Sequence, residues 1–279
     1  MMNPKAKVLS DDKYFPYFVV DNFTDSSDFE TLKKQFDILI SRINDWNKQY
    51  SIQLSDKKTL DVPILFSGGK DFNDSFDNIL NLSDDLITLK KFLLNLKKEE
   101  TYAPFYKLDK KIKIFKLDER ISLIDYITKI NVRVSIKVSR VPSGSGIAIH
   151  RDGKEKIISM LFYLGFSDNI DREFGGTQIY NLNHEGQKEN INSSNVNGID
   201  HYYFSHKNFN KLLDIKPCAN RLFGFVRNEN SWHGIEPFEI KNKKDVFRDT
   251  LQINLIKHRN YNLPLKILKL IKNTLQNLF

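Results

Sequence analysis

Near the start of the chain apolar residues recur every three or four positions: Phe29, Leu32, Phe36, Leu39, Ile43 and Trp46. That spacing draws one stripe down a helix, and it predicts a helix running to about Trp46 whose apolar face is spent on core packing. Ser27 and Glu30 stand at capping-box spacing, each able to bond the other's amide, and predict its start. An aromatic strand is expected before it, over residues 13–23. A second helix is predicted from about Asp84 to Lys98, where Leu86, Phe92, Leu93 and Leu96 oppose a lysine-rich face. The stretch 48–82 between them is mixed, with a turn at Ser67-Gly68-Gly69.

From about Ile121 the period changes from three-and-a-half to two. Ile130, Val132, Val134, Ile136 and Val138 alternate with Asn131, Arg133, Ser135, Lys137 and Ser139, the mark of a strand with one buried face. A turn at Pro142-Ser143-Gly144-Ser145-Gly146 ends it, and short strands with turn signals recur to Ile256, which suits a sandwich or jelly roll. Helices first and strands later make an α+β pattern within one domain. Two segments stand apart. Residues 181–216 read as a long, polar, Asn-rich loop, a length usually kept for function or disorder. Residues 264–279 read as a basic amphipathic helix that docks on its own domain or a second subunit, with contact to a membrane surface as the alternative.

Composition narrows the picture slightly. With 279 residues, 40% hydrophobic content and 21 Phe, the chain can bury a large core. It has no apolar run long enough to span a bilayer and no apolar signal segment at its start. A single cysteine, Cys218, gives no disulfide framework and points to a reducing, cytoplasmic setting. Net charge is +8, from 43 basic and 35 acidic residues, which could attract nucleic acid or an anionic surface. The lysines are spread along helices, as in Lys90-Lys91 and Lys97-Lys98, and read instead as solvated faces.

The chemistry gathers in the strand region. His150 and Asp152 stand two residues apart, and on an extended strand such residues share a face, so an imidazole and a carboxylate can grip one metal ion. His233 follows 81 residues after Asp152 as a third ligand. Two imidazoles and one carboxylate leave half of an octahedral metal open, the set used by non-haem Fe(II) oxygenases. Fifteen residues after His233, Arg248 begins a strand whose Leu251, Ile253 and Leu255 form one face, so Arg248 and Thr250 point together to the other.

Five elements thus follow in order: His150-x-Asp152, the apolar strand Ile157 to Leu164, Phe174-Gly175-Gly176-Thr177, His233, and Arg248-x-Thr250. With them the chain resembles the Fe(II)/2-oxoglutarate-dependent dioxygenase superfamily, most closely its prolyl-4-hydroxylase-like branch, over about Lys129 to Ile256. The resemblance implies a double-stranded β-helix, a cupin-like jelly roll, buttressed by N-terminal helices. It divides the chain into a helical support region at 1–120, a catalytic core at 121–260 and a C-terminal helix at 261–279. It implies Fe(II) on His150, Asp152 and His233, with 2-oxoglutarate and O₂ as cosubstrates and ascorbate as an added reductant. Arg248 and Thr250 would anchor the far carboxylate of 2-oxoglutarate, touched also by Tyr163 and Ser159, while Gly175 and Gly176 would let backbone approach closely beside the metal. The interval from His233 to Arg248 is longer than the family's usual one, which implies an extended loop from Glu236 to Phe247.

The reaction so implied releases succinate and CO₂ and hydroxylates a C–H bond of a small molecule, a sugar or a protein side chain, a prolyl residue of a protein among them. The rival from another class is a jelly-roll binding module without catalysis. Relatives that act on nucleobases carry a second Arg where this chain has Asn254, so nucleic acid is not the expected partner. Arg133 and Lys137 could line the pocket, and Asn228, Asn230 and Trp232 could orient His233 or line the mouth. His184, His201 and His206 read as loop residues, since their spacing fits no single face and no cysteine joins them. Nothing resembles a nucleophile elbow, a phosphate loop or a dinucleotide fingerprint.

Overall fold

A computed structural model describes residues 15–42, 83–96, 134–184, 208–241 and 245–256, Ala148 by its backbone alone; backbone only is described for 10–11, 46–49, 52–53, 64–67, 112–114, 130–133, 195–196, 199–200 and 257. The strands are β1 (Ser10–Asp11), β2 (Phe15–Val20), β3 (Trp46–Gln49), β4 (Ile52–Gln53), β5 (Ile64–Ser67), β6 (Ile112–Ile114), β7 (Ile130–Pro142) and β8 (Ser145–His150). They continue as β9 (Lys156–Phe166), β10 (Thr177–Leu182), β11 (Asn195–Val196), β12 (Ile199–Asp200), β13 (Phe209–Ile215), β14 (Arg221–Val226), β15 (Trp232–Ile235) and β16 (Phe247–Lys257). The helices are α1 (Ser26–Ser41) and α2 (Ile87–Leu96), the latter led by a 3₁₀ turn at Asp84–Leu86.

The strands form a large sheet in the order β1-β2-β14-β9-β16-β7-β5-β3, a small one in the order β13-β10-β15-β8-β4, and a separate β11-β12 ribbon. Pairing is antiparallel except where β6 joins β7. Between β7 and β16 the chain crosses repeatedly from one sheet to the other, with β7, β9, β14 and β16 in the large sheet and β8, β10, β13 and β15 in the small one. This is a jelly-roll-like arrangement.

Alternation along the central strands gives the large sheet two unlike faces. On the outer face Ile136, Val138, Met160, Phe162, Leu251 and Ile253 are fully or almost fully buried, and they share one core cluster with Phe29, Phe36, Leu89 and Leu93 of the helices. Phe162 is at its centre, with ring centroids 5.6, 6.0 and 5.4 Å from those of Phe23, Phe29 and Phe92. Truncating it opens a cavity where three rings meet. Phe162→Ala is therefore expected to cost about 3–5 kcal/mol of unfolding free energy, read from denaturant midpoints; a cost below 1 kcal/mol would show that the cluster collapses freely.

The inner face of the same strands is polar. Ser139, Thr250 and Tyr163 stand in one cross-strand row, and Ser135, Asn254 and Ser159 in another four residues along. A sandwich core would ordinarily be apolar here, so this face is shaped to receive polar atoms.

Several boundaries differ from the sequence reading. Helix α1 ends at Ser41 and Trp46 lies in β3, so the three-and-four spacing outruns the helix. Its N-cap is Asp25 with no side-chain cap bond, and the Ser27–Glu30 box does not form. A long-range tie fixes this end instead: Asn220 Oδ1 accepts from the Thr24 amide at 2.9 Å, and Asn220 Nδ2 donates to the Thr24 carbonyl at 2.8 Å. Residues 209–215, read as loop, form β13 because Leu212 and Leu213 pack into the inter-sheet core. Gly68, Gly69, Lys97, Lys98 and the helix expected at 264–279 lie outside the described residues.

Candidate metal centre

Strands β8 and β15 pair with His150 opposite His233, and the ring centroids lie 4.3 Å apart. Asp152, two residues past the end of β8, completes a group whose ligand atoms all lie within 4.8 Å of one another. Asp152 and His233 are buried. His233 Nδ1 donates to the Ser231 carbonyl at 3.0 Å, which fixes the tautomer and leaves Nε2 with its lone pair for a metal. Burial holds the imidazole of His233 below its usual pKa, so it is neutral and able to ligate. Burial alone would push the Asp152 carboxyl up, but the Lys156 ammonium bonded to it, with the two imidazoles beside it, outweighs burial and keeps the group ionised. Two imidazole nitrogens and a carboxylate fit a hard or borderline divalent ion.

The support around Asp152 was not visible in the motif. Lys156 Nζ donates to Asp152 Oδ1 at 2.5 Å, and Ser159 Oγ donates to Oδ2. Simple alternation would send Lys156 outward with Ile158 and Met160. A bulge intervenes: Leu255 pairs with Ile158 but Ile256 pairs with Lys156, leaving Ile157 as an extra residue. The bulge turns Lys156 to the inner face, the service such irregularities commonly perform beside functional sites. Arg227, just beyond β14, adds an Nε donor to the Asp152 carbonyl at 3.1 Å.

At the other end of the inner face lies Arg248, 1% exposed. Its Nη1 donates to the Gly175 carbonyl at 3.0 Å, its Nε is buried without a partner, and it forms no ion pair among the described residues. Its neighbour Asp249 is taken by Arg140, at 2.8 and 3.1 Å. Burial draws the Arg248 guanidinium below its usual pKa, the sign of a cation short of a counter-charge. Tyr163 lies beside it, ring centroid 5.5 Å from the guanidinium carbon, and donates its hydroxyl to Thr177 Oγ1 at 2.7 Å. The Thr250 hydroxyl shares a 2.7 Å bond with Ser139. The structure thus gathers Arg248, Thr250 and Tyr163 at one end and places Ser159 on Asp152 instead.

Other sequence-marked residues fall as follows. The close approach made by Gly175 and Gly176 is to strand β13 and to Phe238 rather than beside the metal ligands: a Cβ on Gly176 would lie 2.2 Å from the Ile215 carbonyl oxygen, and one on Gly175 3.1 Å from the Phe238 ring. Asn228 and Ser231 close the turn before His233, with Ser231 Oγ donating to the Asn228 carbonyl at 2.9 Å. Arg151 lies over the Trp232 ring at 4.4 Å. The loop from β15 to β16 covers 236–246 and packs Phe238 and Val246 against Phe166 and Ile235. His184 is exposed and apart from the metal group; His201, His206 and the side chain of Arg133 lie outside the described residues. Cys218 is a free, partly buried thiol. No helix among the described residues is long and apolar enough to cross a membrane.

No family model and no curated protein matches the chain. Among solved structures it is similar to prolyl-4-hydroxylase-like oxygenases at low identity. A Pseudomonas putida prolyl-4-hydroxylase aligns with TM-score 0.47 and 10% identity, over 88% of this chain and 95% of that one. HygX from Streptomyces hygroscopicus, solved with nickel and 2-oxoglutarate, aligns with TM-score 0.48 and 9% identity, over 88% and 85%. A Trichoplax adhaerens prolyl hydroxylase in complex with a peptide of hypoxia inducible factor aligns with TM-score 0.44 and 13% identity, over 86% and 83%.

Proposed function

We propose that the protein is an Fe(II)- and 2-oxoglutarate-dependent oxygenase with iron on His150, Asp152 and His233. The observation that carries this reading is Arg248: a buried cation without an ion pair among the described residues, in the same inter-sheet space as a three-ligand metal group, needs an anion that those residues do not supply. The far carboxylate of 2-oxoglutarate answers that need, since a planar guanidinium can hold both its oxygens. Thr250 and Tyr163 add hydroxyls at the same end. Bound iron would let O₂ oxidise 2-oxoglutarate to succinate and CO₂, one oxygen atom entering succinate and the other a C–H bond of the substrate. The chain's part is to orient: Ser159 and Lys156 steer the Asp152 oxygens, Ser231 fixes the His233 tautomer, and the apolar neighbours Phe225 and Leu161 limit water.

In this reading the alternating strands β7–β10 and β13–β16 are the double-stranded β-helix, and α1 and α2 buttress its large sheet. Residues 1–120 serve as support, 121–260 as the core and 261–279 as a helix that docks on it. The substrate is a small molecule, a sugar or a protein side chain, and the setting is the cytoplasm. A jelly-roll binding module without catalysis is the second reading.

The two part in one titration. Anaerobic metal-free protein given Fe(II) and 2-oxoglutarate is expected to develop the visible metal-to-ligand charge-transfer band, and His233→Ala is expected to lack it. A folded wild-type protein without the band would favour the binding module. Ser159→Ala removes a bond that aims Asp152 and is expected to weaken Fe(II) binding by about 10–100-fold. Unchanged metal affinity in a calorimetric titration would mean that Lys156 alone sets the carboxylate.

A further inference from the structure

The inner face has an order along its strands. Arg248, Tyr163 and Thr177 occupy one end; Ile179 pairs with His233, which pairs with His150, so the metal ligands follow next. Two residues further along β10, about 7 Å beyond the His233 row, alternation brings Asn181 to the same face. On the large sheet Phe223 and Phe225 alternate inward, Phe225 rests 4.6 Å from the His233 ring, and Arg227 comes next. Asn181 and Arg227 therefore lie past the metal ligands on the side away from Arg248, one from each sheet.

Both carry buried atoms with unmet hydrogen bonds. Asn181 Oδ1 is buried and has no partner. The Arg227 side chain is only 9% exposed and its Nη2 is buried without a partner. Its Nε is taken by the Asp152 carbonyl and its Nη1 by Glu229 Oε1 at 3.0 Å, a carboxylate that is itself 67% exposed. Orphaned buried polar atoms are costly and rare, and at a binding site they mark what the ligand must bring. Here the unmet groups are a cationic donor and a neutral acceptor.

We propose that the substrate is a small anion bearing a hydroxyl or amino group, its anionic oxygen taken by Arg227 and its donor by Asn181. The identity of the reaction rests on the oxygenase reading above; the anion preference is a property of these two residues and can be measured without turnover. The shared chemistry is an anionic oxygen beside an O–H or N–H donor, whether the anion is a carboxylate or a phosphate.

The test uses calorimetric titration of the full-length protein with glycerate, glycerol 3-phosphate, propionate, glycerol and choline. Each is run with the protein alone and with Ni(II) and saturating 2-oxoglutarate, nickel standing in for iron so that no turnover occurs. At least one of the two hydroxylated anions is expected to bind at submillimolar concentration, about tenfold or more tighter than glycerol or choline. Arg227→Gln is expected to weaken that anion by about tenfold or more. Asn181→Leu is expected to close the gap between glycerate and propionate, and it tests the donor subsite even if Arg227→Gln does not fold. Glycerol or choline binding as tightly as the anions, no anion binding at millimolar concentration, or wild-type anion affinity in folded Arg227→Gln would overturn the proposal. Loss of nickel-dependent 2-oxoglutarate binding would sink the oxygenase reading instead, while the titrations of the protein alone still decide the anion preference.

Discussion

Arg248→Met is expected to shift stability and cosubstrate affinity in opposite directions. The metal-free variant should melt a few degrees higher than wild type, because a well-packed apolar chain replaces a desolvated charge that no carboxylate among the described residues compensates; such exchanges are worth about 1–4 kcal/mol. The same variant should bind 2-oxoglutarate more weakly by about 30-fold or more, since truncating one side of a buried charge pair costs about 2–5 kcal/mol. Wild type with 2-oxoglutarate should in turn gain thermal stability, as any ligand of the folded state confers. Scanning calorimetry with and without the cosubstrate reads all three. A lower melting temperature in metal-free Arg248→Met would mean that Arg248 is a structural cation with a partner inside the protein, and the case for an anion site would fall.

Asp152→Ala is the second large effect. It is expected to abolish Fe(II)-dependent succinate release, a loss well beyond the 10–100-fold that follows removal of a residue which only orients a ligand. The circular dichroism spectrum should be unchanged, because the jelly roll is held from the helix side of the large sheet by the cluster around Phe162. The released Lys156 ammonium is partly exposed, with 23% of its side-chain surface open, so water can take up its charge. Turnover surviving in Asp152→Ala would show that the carboxylate is not a metal ligand.

The strand region was legible because period-two alternation survives in the folded sheets: the paired faces of β7, β9 and β16 are those that Val138, Leu161 and Ile253 imply. The triad was legible because its members are chemically uncommon and the i, i+2 spacing of His150 and Asp152 needs only an extended chain. Tertiary ties and irregularities were not. The start of α1 depends on Asn220, almost two hundred residues away, and no local cap predicts that. Lys156 was missed because alternation assigns it to the helix side, and only the mispairing with β16 reveals otherwise. Arg227 and Asn181 carry no motif, and their interest comes from atoms left without partners, a property of packing rather than of residue type.

The extra residue at Ile157 makes pairing register, not side-chain identity, the sensitive variable at this point of β9. Substituting Ile157 changes the size of a packed group. Pairing Ile157 regularly with Ile256 would remove the bulge and rotate Lys156 to the helix side, out of reach of Asp152, while every strand and every ligand stayed in place. A one-residue slip of register here would thus separate two forms of the jelly roll with the same triad, one with an ammonium beside its carboxylate ligand and one without.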